Sequence, residues 1–251
     1  MIALLMGGQH NTSATGTWII LHLAHRPHLI EELYQEQLRV LGSPLPPLTY
    51  ASMQKLHLNS WMIKETLRLH SPIHSVMRKV TSPMPIPGTS WTIPPSYTLL
   101  AAPSFLSRVE EFWTNALVWD PHRWENPSRS ARPDQAQEKE KAGPLHADTV
   151  DFGYGPVSLK AASSPYLPFG AGRHRCVGEE YAYLQLGAIV ATLVRLLQWE
   201  QVEKDAPVPE TDYSVSLSDH FISCIFDGVS VMGLIVRNLV AVLETHASRE
   251  D

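Results

Sequence analysis

One short run constrains this chain more than any other: Phe169-Gly170-Ala171-Gly172-Arg173-His174-Arg175-Cys176-Val177-Gly178. It places a cysteine behind a glycine-rich, basic loop and directly before an apolar helical pattern from Tyr181 to Leu197. A sulfur at a helix N-terminus sits near the positive end of the macrodipole and near unpaired backbone N–H groups, which favours thiolate over thiol. A thiolate in such a place serves as a nucleophile or as a metal ligand. The glycines let the backbone approach something bulky, and Arg173, Arg175 and His174 suit an anionic partner.

Haem meets each requirement: iron for the sulfur, carboxylates for the cations, and a flat apolar face for Phe169. The run resembles the haem-binding signature of the cytochrome P450 monooxygenases, Phe-x-x-Gly-x-(Arg or His)-x-Cys-x-Gly. Phe169, Gly172, His174, Cys176 and Gly178 fall on its five fixed places. The resemblance implies that Cys176 is the axial ligand of haem iron and that Phe169 and His174 border the cofactor. A buried apolar thiol is the plainer alternative for a single cysteine.

A chain of 251 residues makes one or two domains with enough apolar content for a core. Its net charge of −5 argues against binding nucleic acid by electrostatics. Cys176 and Cys224 are the only cysteines, so there is no disulfide framework, and a reducing compartment suits them. No secretory leader is expected at Met1. The most apolar window, Phe221 to Leu243, is interrupted by Asp227, Arg237 and Asn238 and reads as a buried or interfacial helix rather than a membrane span.

Along the chain, Met1 to Ala24 reads as helix, with Gly7-Gly8 at its middle despite a cost of about 1 kcal/mol each relative to alanine. Gln9-His10-Asn11-Thr12-Ser13 follows. With Ala24-His25-Arg26-Pro27, it resembles the oxygen-binding kink and the exit of the long distal helix in fungal sterol 14-alpha demethylases. That resemblance implies that Gly8, His10 and Asn11 face dioxygen. Where the family has threonine this chain has Asn11, whose amide has no hydroxyl to relay a proton. Thr12 lies about 100° further round the helix and does not simply substitute. Pro27 to Leu41 is expected as a second helix, with Glu31, Glu32, Glu36 and Arg39 on a solvated face, and Ser52 to His70 as a third.

Glu65 and Arg68 are three apart on that third helix, and Pro121-His122-Arg123-Trp124 stands at the family's later Pro-x-Arg position. The resemblance implies a buried clamp of Glu65, Arg68 and Arg123, a scaffold rather than a catalyst. His74 to Val80 and Ser90 to Leu100 read as strands separated by turns. Here the resemblance implies that Arg78 binds a haem propionate and that the preceding residues line a substrate cavity. Asn126 to Ser164, rich in Pro, Gly, Ser and Ala, reads as a solvated insertion without chemistry.

The fold expected is mainly α with small β elements, an incomplete, C-terminal-half version of the cytochrome P450 fold. Residues 1–214 would be its haem-binding part and residues 215–251 a divergent tail, with Val229 to Leu243 helical. The family's N-terminal membrane anchor and early helices have no counterpart, so apolar faces of the first and third helices are expected to be exposed. Two readings stay open. One is a haem-thiolate monooxygenase that takes electrons from NADPH-cytochrome P450 reductase and oxidises a sterol- or terpenoid-like substrate at the endoplasmic reticulum membrane. The other is a truncated, non-catalytic remnant that binds haem or a partner.

Overall fold

The computed structural model describes residues 2–126, 149–151, 156–158 and 164–197. These are mainly helical with short antiparallel β pairs, the class that the sequence predicts. The chain divides into two compact units: Met1–Thr66, Trp119–Glu125 and Val177–Asp251 make the first, and Leu67–Val118 with Asn126–Cys176 the second.

In the first unit, α1 (Ile2–Ala24), α2 (Pro27–Leu41) and the short α3 (Tyr50–Met53) pack on a late helix, α6 (Glu179–Leu196). Pro27 opens α2, where a proline's fixed φ is already helical and its missing N–H costs nothing. Gly42, at φ 89°, ends α2, and its N–H donates to the Leu38 carbonyl. Ile19, Leu23, Leu29, Leu33, Met62, Ile63, Leu186 and Val190 are buried between these helices. On α1, α2 and α6 they come as pairs four residues apart, Ile19 with Leu23, Leu29 with Leu33 and Leu186 with Val190, so each of these helices turns one apolar stripe inward.

The expected third helix, Ser52 to His70, is in fact two: α3, and α4 (His57–Leu69) after a break at Gln54–Leu56. Thr49 and Ser52 form a reciprocal capping box that starts α3 early. The α4 start is capped from another element. The Glu36 carboxylate accepts hydrogen bonds from the backbone N–H groups of Leu58 (2.8 Å) and Asn59 (3.3 Å), two donors that a helix start leaves without partners. Glu36 is therefore buried at 4% exposure and does not belong to the solvated face expected of it. Burial pushes its carboxyl up from the usual range, and the two N–H bonds pull against that shift. Nor does α4 present the exposed apolar face anticipated for it: Leu58, Met62, Ile63, Leu67 and Leu69 are all buried.

In the second unit, β1 (Val76–Lys79) pairs antiparallel with β4 (Thr98–Ala101), Met77 opposite Leu100 and Arg78 opposite Leu99. Inside that loop β2 (Met84–Pro85) pairs with β3 (Thr92–Ile93). The first expected strand, His74 to Val80, is thus the single shorter β1, the second, Ser90 to Leu100, is split between β3 and β4, and β2 falls in the stretch expected to be turns. Pro94 and Pro95 stop the second strand, since neither has an N–H for a ladder, and Gly88 turns the chain at φ 77°. A helical turn, α5 (Pro103–Leu106), follows. The insertion is not wholly irregular, because β5 (Thr149–Asp151) pairs with β6 (Pro156–Ser158). The rest of it, and the tail with Cys224 and the expected helix Val229 to Leu243, lie outside the described residues. Among the described residues no helix is long and apolar enough to cross a membrane.

Candidate functional site

The cysteine loop is tied back on itself by its own backbone. Cys176 N–H donates to the Phe169 carbonyl at 2.9 Å, and Gly170 N–H to the Leu167 carbonyl at 3.0 Å. Arg175 N–H reaches the Gly172 carbonyl at 3.2 Å, closing a 3₁₀ turn over Gly172–His174. Gly170 and Gly172 stand at φ 71° and 63°, a backbone conformation that strains any other L-residue. The loop needs glycine at both places to bring Cys176 back beside Phe169. The Arg175 guanidinium turns inward and donates to the Gly170 carbonyl at 3.0 Å, so it braces the loop. Arg173, His174 and the Cys176 thiol are exposed, and Phe169 is half-buried.

The loop's entry is anchored within the second unit. The Ser107 hydroxyl donates to the Pro165 carbonyl (3.1 Å), and Tyr166 packs edge-on to Trp113 with ring centres 6.3 Å apart. Trp113 in turn lies under the Arg68 guanidinium, 5.4 Å from it. Fully buried, Arg68 donates to the carbonyls of Ser107 (2.6 Å), Ala116 (2.6 Å) and Val118 (3.1 Å). Arg108 donates to the Leu69 carbonyl. His70 sits beside these cations, and burial together with Arg108 and Arg68 holds its pKa down at about 3.

In the first unit the Glu65 carboxylate is fully buried and gathers three donors: Arg123 Nε at 3.2 Å, Asp120 N–H at 3.0 Å and Trp124 Nε1 at 3.0 Å. The expected Glu65–Arg123 pair is therefore present. Sequence reading missed Asp120 and Trp124, which also donate to this carboxylate. It also missed the carbonyl set around Arg68, because backbone acceptors leave no mark in a sequence.

Gly8, His10 and Asn11 lie on α1 in the first unit, Gly8 and His10 exposed and Asn11 half-buried. A Cβ at Gly7 or Gly8 would meet no atom within 4 Å, so this stretch of backbone is open to approach. One turn on, the buried Thr15 hydroxyl donates to the Asn11 carbonyl at 2.8 Å. Arg78, in the second unit, is exposed on β1, and its guanidinium donates to the neighbouring Met77 carbonyl.

The donor set suits haem. Among the described residues no group of three or more His, Cys, Asp or Glu side chains could hold a metal ion. A single accessible thiol fits a metal that brings its remaining ligands with it, as haem iron does.

Comparison with known proteins agrees with this chemistry. The family model for cytochrome P450 matches residues 1–221. The chain is 57% identical over 223 residues to the sterol 14-alpha demethylase CYP51C of Gibberella zeae, covering 87% of this chain and 40% of that protein. It is 52% identical over 219 residues to the sterol 14-alpha demethylase cyp51A of Aspergillus fumigatus (85% and 40%). To the eburicol 14-alpha-demethylase of Penicillium italicum it is 54% identical over 214 residues (85% and 39%). The chain thus spans about 40% of the length of these curated relatives. A family match over most of the chain, on the cysteine loop just described, means that this chain belongs to the cytochrome P450 family.

Proposed function

We propose that this chain is the haem-binding part, residues 1–214, of a sterol 14-alpha demethylase-like monooxygenase, with residues 215–251 a divergent tail. The observation that carries the reading is the exposed Cys176 thiol at the end of a loop closed by the Phe169 carbonyl. Haem held by a cysteine thiolate supplies reductive cleavage of dioxygen and insertion of one oxygen atom into a substrate C–H bond.

This chain's own residues do the holding. The Cys176 amide is committed to Phe169, which fixes the backbone that carries the sulfur. Phe169 offers an apolar face, the exposed Arg78 supplies a cation and the exposed His174 a ring N–H for the propionates, and Arg175 keeps the loop closed. On α1, the open backbone at Gly8 leaves room for dioxygen beside His10 and Asn11. Asn11 can hydrogen-bond an ordered water but has no hydroxyl of its own to pass a proton. Thr15 does not make up for this, since its hydroxyl proton is committed to the Asn11 carbonyl. The substrate class is a sterol or a related terpenoid, the electron donor NADPH-cytochrome P450 reductase, and the working place the endoplasmic reticulum membrane.

A carbon monoxide difference spectrum of the reduced protein tests the assignment. It should show a thiolate-type Soret band, which Cys176→Ala abolishes and Cys224→Ala leaves intact. Equal behaviour of the two variants refutes Cys176 as the ligand. For the relay, Asn11→Thr should raise the product formed per NADPH and lower peroxide; unchanged coupling would mean that His10, Thr12 or water already passes the proton.

A further inference from the structure

The entry to the cysteine loop, Ser164-Pro165-Tyr166-Leu167-Pro168, holds two prolines, and neither has an N–H to give to a ladder. Side chains hold it instead, all of them within the second unit. The Ser164 hydroxyl oxygen accepts from the Tyr166 N–H at 3.0 Å, and the Tyr166 ring packs edge-on to Trp113. The carbonyl of the buried Pro165 accepts from the Ser107 hydroxyl at 3.1 Å. Beyond this entry the loop closes on its own backbone, Gly170 N–H to Leu167 and Cys176 N–H to Phe169. A loop tied to itself moves as one piece, so its place in the second unit follows its entry.

Ser107 joins that entry to the buried Arg68. Its carbonyl accepts from Arg68 Nη1 at 2.6 Å while its hydroxyl reaches Pro165, and the residue is 3% exposed. The next residue, Arg108, donates back to the Leu69 carbonyl, beside Arg68. The segment therefore cannot slide along the end of α4 without breaking both bonds. A serine hydroxyl has one proton, and here two carbonyls lie within its reach, those of Pro103 and Pro165, each at 3.1 Å. The Pro103 carbonyl already accepts the Ser107 N–H at 3.0 Å. The proton matters more at Pro165, because a buried carbonyl stripped of its donor keeps its desolvation cost.

We propose that Ser107 is a positioning residue for the thiolate ligand: its hydroxyl carries the Arg68 anchor to the loop entry and so sets where Cys176 stands in the second unit. This inference rests on Cys176 being the haem ligand. In the haem-loaded full chain, Ser107→Ala removes the hydroxyl and leaves the backbone carbonyl for Arg68. It should convert part of the thiolate-type Soret band of the reduced carbon monoxide complex to the neutral-thiol type. It should also speed haem transfer to excess apomyoglobin about tenfold, the lower end of the scale for losing an outer-shell partner. Tyr166→Leu, which frees the same entry from Trp113, should act in the same direction. Ser104→Ala is the matched control: Ser104 is a buried serine one turn earlier, and its hydroxyl donates to the His74 carbonyl at 2.8 Å instead of to the loop. It should lower the melting temperature as much as Ser107→Ala while leaving the band in place. Suppose Ser107→Ala only destabilises, with the band unmoved and still abolished by Cys176→Ala, or Ser104→Ala shifts the band equally. Either result overturns the positioning role and leaves the haem assignment standing. A parent chain with no thiolate-type band overturns both.

Discussion

The charged residues of helix α4 and the functional groups of the cysteine loop live in opposite environments. Glu65 and Arg68 are completely buried and richly hydrogen-bonded, and Arg123 is buried as well. Cys176, Arg173 and His174 are exposed, and the contacts that shape their loop come from backbone carbonyls. The difference teaches where each kind of residue does its work. A buried charge must be satisfied by the fold and therefore holds it together. A ligand for a cofactor must be left accessible, so its neighbours hold the backbone and leave the side chain alone.

The largest effect should come from breaking the buried side. Glu65→Ala strands the Arg123 guanidinium, the Asp120 amide and the Trp124 indole, and should cost on the order of 3–5 kcal/mol, seen as loss of soluble protein or a collapsed unfolding midpoint. Arg68→Ala, which uncovers three carbonyls at once, should be comparable. A variant of either kind that unfolds like the parent would end the scaffold reading.

The pH dependence is next in size. His70 is neutral in the folded chain with a pKa of about 3 against an ordinary 6.5, so its contribution is complete above 6.5 and is lost as pH falls toward 3. Over that window stability should drop by up to about 1.4 kcal/mol per pH unit. Glu36 acts with the opposite sign: its raised pKa means that folding favours the protonated form, so its contribution is greatest at acid pH and is lost as pH rises through the raised value. Denaturant melts between pH 7 and 5 should therefore show falling stability in the parent, and a flatter profile in His70→Phe. An equal slope in both would show that His70 titrates freely when folded.

A smaller loss is expected at the α4 cap. Glu36→Ala removes the acceptor for two helix-start amides and should cost about 1–2 kcal/mol by the scale of N-cap deletions, read as a shift in the denaturation midpoint. No change would mean that water caps α4 equally well. Smallest of all, Cys176→Ala should alter stability of the haem-free chain by less than about 0.5 kcal/mol, as an exposed side chain without a packing role should. A large loss there would make the thiol structural and remove the contrast between the two regions.

The glycine-spaced cysteine loop, the helix after it, the first two helices and the Glu65–Arg123 pair were all readable in the sequence. The loop and the helices are encoded locally, by turn glycines and by apolar spacing, whereas the Glu65–Arg123 pair, 58 residues apart, was legible only through the family resemblance. Three features were decided only by the tertiary structure. Glu36 reads as one more charge on a solvated helix face, yet it is buried because α4 starts against it and needs an acceptor. Asn59 and Gln37 read as ordinary polar helix positions, and only the approach of α6 gives their amides a carbonyl to meet. The carbonyls of Ser107, Ala116 and Val118 that Arg68 gathers are marked by no motif. Backbone acceptors are identical at every residue, so a sequence cannot say which of them a buried donor will find; that choice belongs to packing.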